Sequence, residues 1–196
     1  MASSCWVACM AGVADEAPLI ARIAAGDTAA LRELFARHHI RVYRFILRLV
    51  RNPAPAEELT NEVFLEVWRN AGRFEGASSA ITWMLSIAHH RAVSSLRKRR
   101  DQGWDERAAA AVPDTADDPE VAAQKIDKGA ILRRCLDALS PKHKGIVDLV
   151  YYHEMSISEA AEVLQIPENT VKTRLFHARR RLSELLERAG IDRGWP

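Results

Sequence analysis

The sequence predicts an all-α protein made of two small helical domains joined by a flexible acidic linker, with a helix-turn-helix in the C-terminal domain. Three observations lead to this fold class. Apolar residues recur at helical spacing through residues 28–100 and again through residues 126–188. An acidic stretch containing alanine and proline separates these two blocks. A break at residues 165–167 divides the second block into a short helix and a long one.

The first domain opens with a helix whose start is marked by Asp27, a residue type that accepts hydrogen bonds from the free N–H groups of a first turn. Its end is marked by residues 52–55, which read Asn-Pro-Ala-Pro, because proline cannot continue a helix. Between these points the apolar residues form one stripe, which we expect to face a core. The stripe consists of Leu31, Leu34, Phe35, Val42, Phe45, Ile46, Leu49 and Val50.

A second helix is predicted over residues 56–70, with acidic residues at its N-terminal end, where the helix dipole favours them. Leu59, Val63 and Val67 form its apolar stripe. A loop over residues 71–79 leads to a third helix over residues 81–100. The last ten residues of this helix contain no acid, and their cations are Arg91, Arg97, Lys98, Arg99 and Arg100.

The linker is predicted from composition, because an acidic stretch with few large apolar residues cannot bury much surface. Over residues 105–120 the acids outnumber a single base, Arg107; they are Asp105, Glu106, Asp114, Asp117, Asp118 and Glu120. The chain of 196 residues is long enough for two small domains. The predicted organisation is a tail over 1–18, a domain over 19–100, a linker over 101–125, a domain over 126–190 and a tail over 191–196.

The second domain is predicted to open with a helix over residues 126–139, with Ile131, Leu132, Leu136 and Leu139 as its apolar stripe. A short helix over residues 156–164 begins with a capping box, in which Ser156 is the N-cap and Glu159 follows three residues later. After the break, a long helix is predicted over residues 169–188. Its apolar stripe consists of Val171, Leu175, Ala178, Leu182 and Leu185.

The opposite side of the long helix is basic, with no acid among Lys172, Thr173, Arg174, Phe176, His177, Arg179, Arg180 and Arg181. A short helix, a turn and a long basic helix make the layout of a helix-turn-helix, whose second helix enters the major groove of DNA. A solvated basic face on an ordinary helical hairpin is the competing interpretation. The interleaved Thr173, Phe176 and His177 favour DNA, because hydroxyl, aromatic and imidazole groups can contact base edges and thymine methyls.

Both blocks resemble a family of proteins. The second block resembles the DNA-binding region of extracytoplasmic-function (ECF) bacterial sigma factors. The matching segments are Leu139-Ser140-Pro141, the aromatic pair Tyr151-Tyr152, the SxxEAAExL helix at 156–164 and IPxxTVKxRLxxARRRL at 166–182. Residues 28–100 are similar to the promoter-melting and core-binding domain of the same family. The matching features there are an acidic-aromatic helix, an Arg-Phe loop, a WL-x-x-IA helix and a basic end.

The resemblance implies promoter recognition and transcription initiation with bacterial RNA polymerase core, usually under an anti-sigma factor. The C-terminal helix would bind the double-stranded minus-thirty-five element through Glu168, Asn169, Thr170, Lys172, Thr173, Arg174, Phe176, His177, Arg179 and Arg180. The N-terminal domain would bind the single-stranded minus-ten element through Arg73, Phe74, Ser78, Ser79, His89, His90, Arg91, Arg97, Lys98, Arg99 and Arg100. Polymerase would dock on Glu58, Asn61, Glu62, Glu66, Trp68 and Arg69.

Four positions depart from the family pattern, and they leave the promoter sequence open. His90 and Ser94 stand where many members have asparagine and aspartate. Asn169 and His177 stand where many have glycine and arginine. Histidine at 177 cannot make the bidentate guanine contact of arginine.

Alternative interpretations concern both the whole chain and single residues. The chain could be a sigma mimic that binds an anti-sigma protein but no DNA, or a helix-turn-helix regulator that binds an operator as a dimer. The glutamates at 57, 58, 62 and 66 could simply be a solvated helix face. Trp83 is expected to be a core anchor, because an indole is large and mostly buried.

Other functional classes find no support in the sequence. No phosphate-binding glycine loop, zincin motif or nucleophile elbow is present, so we expect no enzyme, no catalytic residue and no cofactor. Cys5, Cys9 and Cys135 and the adjacent histidine pairs do not have metal-ligand spacing. We expect a monomer without membrane insertion or signal peptide, placed in the cytoplasm or held near the membrane by an anti-sigma partner.

Overall fold

A computed structural model of the chain describes residues 16–101 and 129–191. The described residues contain helices and no strand, which confirms the predicted all-α class. They divide into two compact units: residues up to Asp101 together with residues 162–164, and the remaining residues from 129 onwards. The predicted linker lies outside the described residues except for Asp101.

The first unit consists of four helices and one short turn of 3₁₀ helix. The helices are α1 (Ala17–Ala24), α2 (Thr28–Val50), α3 (Pro53–Asn70) and α4 (Ala80–Asp101), and the 3₁₀ turn spans Ala71–Arg73 between α3 and α4. Helix α1 was not predicted from the sequence. It places Leu19, Ile20 and Ile23 in the core, which shows that the unit includes the segment before Asp27.

The predicted N-cap of α2 is confirmed. The Asp27 carboxylate accepts hydrogen bonds from the backbone N–H groups of Ala29 and Ala30, at 2.8 and 3.1 Å. These bonds, with a further one from Arg22 at 2.7 Å, hold the pKa of Asp27 below its usual value. The local sequence therefore defines this helix start without help from distant residues.

The predicted start of α3 at residue 56 is wrong, because the helix begins at Pro53. Arg51 ends α2 in the left-handed conformation at a φ of 55°, and Asn52 then caps α3 by accepting from the N–H of Ala54 at 3.2 Å. Proline is tolerated in the first helical turn, where the missing N–H has no partner to lose. The glutamates at 57 and 58 consequently lie beyond the first turn, which contains no acid.

The core of the first unit is centred on α2. The Phe45 side chain is fully buried, and the predicted stripe of α3 is buried with it. Three members of the predicted α2 stripe lie at its margin; Leu31 and Leu49 are half-buried, and Phe35 remains 36% exposed. The buried members are Leu34, Val42, Phe45, Ile46 and Val50 on α2, and Leu59, Val63 and Val67 on α3.

The second unit contains α5 (residues 129–137), α6 (Pro141–Val147), a π-helical turn (Asp148–Tyr152), α7 (Ile157–Leu164) and α8 (Glu168–Arg188). Leu139, Val147 and Ala178 are buried together, and Leu136 and Leu185 pack against them. The long last helix is therefore anchored by its predicted apolar stripe. The fully or largely buried members of that stripe are Val171, Leu175 and Ala178.

Helix α7 is delimited by hydrogen bonds at both of its ends, and the second end sets the connection to α8. The Ser156 hydroxyl accepts from the N–H of Glu159 at 3.2 Å, and the Glu159 carboxylate accepts from the N–H of Ser156 at 2.9 Å, which confirms the capping box. Gln165 is left-handed at a φ of 52°, and the N–H of Ile166 donates to the carbonyl of Ala161 at 3.1 Å. These features form a Schellman ending, after which α8 begins at Glu168.

Candidate nucleic-acid interface

The outward face of α8 presents most of the side chains that the sequence predicted for double-stranded DNA. Phe176 is 64% exposed, which is unusual for an aromatic side chain on a helix that also has a buried stripe. Its ring contacts the ring of His177 edge to face, with centroids 5.6 Å apart. Among the residues predicted to bind double-stranded DNA, Arg174 and Thr170 are half-buried. The exposed ones are Glu168, Asn169, Lys172, Thr173, Phe176, His177, Arg179 and Arg180.

Several cations of α8 are paired with acids on the same helix. Lys172 lies 3.7 Å from Glu168, and both Arg180 and Arg181 contact Glu184, at 3.2 and 3.1 Å. Hydrogen bonds from Arg181 and then Arg180 lower the pKa of Glu184. Such exposed pairs are weak and can exchange for phosphate at little free-energy cost.

Arg174 and Arg179 differ from these cations. Among the described residues, no carboxylate lies within 4.0 Å of Arg174. Its charge and that of His177 add to the effect of partial burial in lowering the pKa of His143, on α6. Arg174 therefore places a positive charge near these imidazoles, which suits a phosphate or a base edge rather than a cationic partner.

Arg179 is held by a residue that the sequence did not single out as a contact. Its Nε donates a hydrogen bond to the hydroxyl oxygen of Tyr151 at 2.6 Å, and its guanidinium lies 5.5 Å from the centre of the Tyr151 ring. The phenol orients the guanidinium without neutralising it. Tyr151 appeared in the sequence only as half of an aromatic pair, and nothing local placed it beside a residue 28 positions later.

In the first turns of α8, one residue predicted to contact DNA, Thr173, forms a hydrogen bond within the helix. The Thr173 hydroxyl donates to the carbonyl of Asn169 at 2.8 Å. This bond leaves the hydroxyl oxygen able to accept a further hydrogen bond. Thr170 is bonded through its backbone N–H to the carbonyl of Pro167 at 2.8 Å.

In the first unit, two residues predicted to contact single-stranded DNA have structural roles. The Ser79 hydroxyl accepts from the N–H of Thr82 at 3.2 Å and lies 2.8 Å from the Thr82 hydroxyl, so that it caps α4. The Phe74 ring packs on the ring of Trp83, with centroids 5.1 Å apart. Trp83 is only half-buried, because it lies in the first turn of α4 against the loop instead of in the centre of the core.

The remaining predicted contacts on α4 differ in exposure. His89 is half-buried, and burial lowers its pKa, with a further contribution from the neighbouring His90. His90, Arg97 and Lys98 are exposed, and Arg99 is half-buried. In the loop before α4, Arg73 is exposed and Ser78 half-buried. The Arg100 side chain lies outside what the structure describes.

The outward face of α3 carries the residues predicted to bind polymerase. Glu58, Asn61 and Arg69 are exposed, and Glu62, Glu66 and Trp68 are half-buried. Leu65 lies among them and is 52% exposed. The sequence signal for Leu65 was its position, since it is apolar but falls outside the buried stripe of the helix.

Arg91 joins α4 to this acidic face. Its Nε donates to Oε2 of Glu66 at 2.7 Å, and its Nη2 lies 2.6 Å from the same oxygen. Its Nη1 lies 3.6 Å from Oε2 of Glu62. The structure thus brings together residues that the sequence assigned to two different interfaces.

Neither a metal centre nor a membrane span is found within the described ranges. No three histidine, cysteine, aspartate or glutamate side chains there are grouped so as to hold an ion. No helix in the same part of the chain is long and apolar enough to cross a membrane.

Comparison with known families gives two matches in the same order as the two units. Residues 34–102 match sigma-70 region 2, and residues 129–182 match sigma-70 region 4. The chain is 36% identical to the ECF RNA polymerase sigma factor SigK of Mycobacterium tuberculosis over 174 residues, which cover 86% of this chain and 92% of that protein. It is 30% identical to the SigK of Mycolicibacterium vanbaalenii over 171 residues, covering 86% and 87%.

Two solved structures share the fold. One is CnrH in complex with the cytosolic domain of CnrY, with a TM-score of 0.64 and 22% identity over 88% of this chain and 97% of that one. The other is the sigma factor RpoE in complex with the anti-sigma factor NepR from Bartonella quintana, with a TM-score of 0.66 and 22% identity over 80% and 96%.

Proposed function

The chain belongs to the ECF subfamily of the sigma-70 family of RNA polymerase sigma factors, and from this premise we propose that it recognises promoters through two separate surfaces. As an initiation factor it directs RNA polymerase to promoters. The second unit reads the double-stranded minus-thirty-five element, and the first unit binds polymerase and the single-stranded minus-ten element. The observation that carries this proposal is the exposed face of α8, where an aromatic side chain is flanked by cations.

At the upstream element, α8 lies in the major groove. Phe176 contacts a thymine methyl or a base edge, and its exposed ring loses water on binding. Arg174 and Arg179 approach guanine or phosphate, and His177 accepts or donates one hydrogen bond instead of the two that arginine makes. The remaining cations of the helix exchange their intrahelical glutamates for phosphates.

At the downstream element, the first unit holds unpaired bases against α4 and the loop before it. His90, Arg97 and Lys98 offer exposed donors, and Arg73 extends this surface into the loop. Ser79 and Phe74 act indirectly, since the cap and the ring packing on Trp83 fix the conformation of the loop. Flipped bases need such a rigid pocket, because unstacking them costs free energy.

Polymerase docks on α3. The exposed leucine at 65 supplies an apolar centre, and the surrounding carboxylates and amide supply acceptors, an arrangement typical of a protein interface with a polar rim. The predicted set of Glu58, Asn61, Glu62, Glu66, Trp68 and Arg69 is therefore extended by Leu65.

An anti-sigma protein holds the chain inactive in the cytoplasm or at the membrane. The solved complex of RpoE with an anti-sigma factor supports this proposal by fold similarity. A pull-down from the native host at physiological salt tests it. Recovery of polymerase without any anti-sigma protein, under inducing and non-inducing conditions alike, contradicts it.

The decisive experiment is run-off transcription with sigma-free RNA polymerase, purified chain and genomic templates. We expect discrete products whose start sites define the promoter motif. The Phe176→Ala variant should abolish products at promoters that depend on the upstream element while retaining polymerase binding. Polymerase binding without products from the wild-type chain indicates a sigma mimic. Duplex binding without polymerase binding indicates an operator-binding regulator.

A further inference from the structure

The contact between Arg91 and the acidic face of α3 has a geometry suited to fixing two side chains at once. Glu62 and Glu66 are one helical turn apart, so their like charges repel each other. The Arg91 guanidinium contacts both, with Nε and Nη2 on Glu66 and Nη1 on Glu62. Because this group is planar and rigid, it orients the Glu66 carboxylate through two short contacts and holds that of Glu62 at ion-pair distance.

The same contacts make Arg91 poorly suited to bind phosphate. One guanidinium faces two carboxylates, so the cluster carries a net negative charge. A phosphate that approached it would meet that charge and would have to displace Glu66 from hydrogen-bonding distance. The other exposed cations of α4, Arg97 and Lys98, have no acid within ion-pair distance among the described residues.

The contacts also leave acceptor capacity on the acidic face. Both carboxylates use Oε2 for Arg91, and no described residue donates to Oε1 of Glu62 or Glu66. These oxygens can accept hydrogen bonds from a partner. With the exposed Leu65 three residues after Glu62 and directly before Glu66, the face offers an apolar centre beside two oriented acceptors.

We propose that Arg91 is a positioning residue of the polymerase-docking face and not a promoter contact. It fixes Glu62 and Glu66 so that their outer oxygens meet cationic or amide donors on polymerase. The inference rests on the proposed function, specifically on docking through α3. The ion pair itself adds little stability, since all three side chains are at least 28% exposed.

The test measures the Kd of the full chain for core polymerase and, separately, the salt dependence of promoter binding by saturated holoenzyme. Arg91→Ala is expected to weaken core binding about threefold to fivefold, the effect of one partly exposed charge contact. The salt slope of promoter binding should stay at the wild-type value. Arg91→Lys keeps the charge but lacks the planar, forked guanidinium, so its Kd for core polymerase should lie between those of wild type and Arg91→Ala.

A double-mutant cycle shows whether Arg91 acts through its carboxylate partner. If it does, Arg91→Ala combined with Glu66→Ala weakens core binding by less than the sum of the two single losses, and the loss that remains reflects Glu62. Additive losses overturn the proposal. Arg44→Ala, an exposed arginine on α2, is the matched surface control, and thermal unfolding of each variant confirms that it is folded.

The salt dependence of promoter binding tests the alternative, in which Arg91 contacts DNA. If the Arg91 guanidinium bound a phosphate, Arg91→Ala would lower the salt slope by about one, as Arg97→Ala is expected to do. A lowered slope with unchanged core affinity therefore overturns the proposal while leaving the sigma function intact. If the wild-type chain does not bind core polymerase, the proposed function fails and this inference fails with it.

Discussion

Each unit contains an arginine on a predicted DNA-binding helix that is held by another helical segment, and the two arginines have partners of different charge. In the first unit, Arg91 is held by two carboxylates located 25 and 29 residues before it in the chain. In the second, Arg179 is held by the neutral phenol of Tyr151, 28 residues before it. Both guanidinium groups are oriented, yet only Arg179 keeps its full charge available to an anion.

This difference separates two uses of a basic helix. A carboxylate partner converts an arginine into part of an acidic docking surface, whereas an aromatic hydroxyl keeps it electropositive and rigid. Counting cations along α4 and α8 cannot distinguish these cases. Under the proposed function, the identity of the partner distinguishes a basic residue of the protein-docking face from one of the DNA-binding face.

The largest effects should come from two phenylalanines, one in each unit. Phe45→Ala removes a fully buried side chain and is expected to cost about 3–5 kcal/mol of unfolding free energy in the first unit, with loss of polymerase binding. Phe176→Ala, at the 64% exposed position, should leave stability nearly unchanged and abolish duplex binding. Urea unfolding and duplex gel shifts measure both properties. Equal effects of the two variants on stability contradict the assignment of Phe45 to the core and of Phe176 to the DNA-binding face.

Arg179→Ala should reduce duplex affinity by about fivefold to 150-fold, because an oriented arginine contact to DNA contributes about 1–3 kcal/mol. Core polymerase affinity should be unaffected, in contrast to Arg91→Ala. Fluorescence anisotropy with a duplex of the mapped upstream element measures the change. Arg188→Ala, in the last turn of the same helix, is the control for a general loss of charge. Equal losses from the two variants would show that only net charge matters.

Tyr151→Phe tests whether the phenol orients Arg179. The variant keeps the ring under the guanidinium but removes the hydroxyl oxygen that accepts from Nε. Removing this one hydrogen bond should weaken duplex binding about twofold to tenfold, with no change in thermal stability. Tyr43→Phe, the same change in the first unit, is the control. Unchanged duplex affinity of Tyr151→Phe would mean that Arg179 needs no orientation.

The smallest expected effect is on the pH dependence of the stability of the first unit. Burial lowers the pKa of His89 below 6.5, so the folded protein binds this proton less readily than the unfolded chain. Stability contributed by neutral His89 is therefore present above pH 6.5 and decreases as the pH falls below that value. Thermal unfolding from about pH 8 to about pH 5.5 should show a weaker pH dependence for His89→Gln than for wild type. His90→Gln, at the exposed neighbour, should change the pH dependence less than His89→Gln, because His90 makes only the smaller contribution to the pKa of His89.

Local signals in the sequence were reliable where a few neighbouring residues satisfy each other. Asp27 and the Ser156–Glu159 capping box are confirmed, because each forms its hydrogen bonds within one helical turn. The break before α8 is confirmed to within one residue. The start of α3 was wrong because proline is compatible both with ending one helix and with beginning the next.

Residue-level assignments were less reliable where side chains reach across the unit. Phe35 has the spacing of a core residue but remains partly exposed, since helical period defines a stripe and not its width. Ser79 has the composition of a loop contact but caps α4. Leu65 and Tyr151 had no local signal strong enough to mark them as functional.

The sequence by itself determined the helical class, the order of the two domains, the family and the position of the basic face on α8, because these depend on periodicity, caps and motif spacing. Only the tertiary structure decided which cations have a carboxylate as partner and which a neutral phenol. The partners of Arg91 and Arg179 lie 25 or more residues away in the chain, and such pairings arise from helix packing rather than from local sequence. Electrostatic function depends on those pairings, since a nearby carboxylate or phenol sets the charge that a helix face presents.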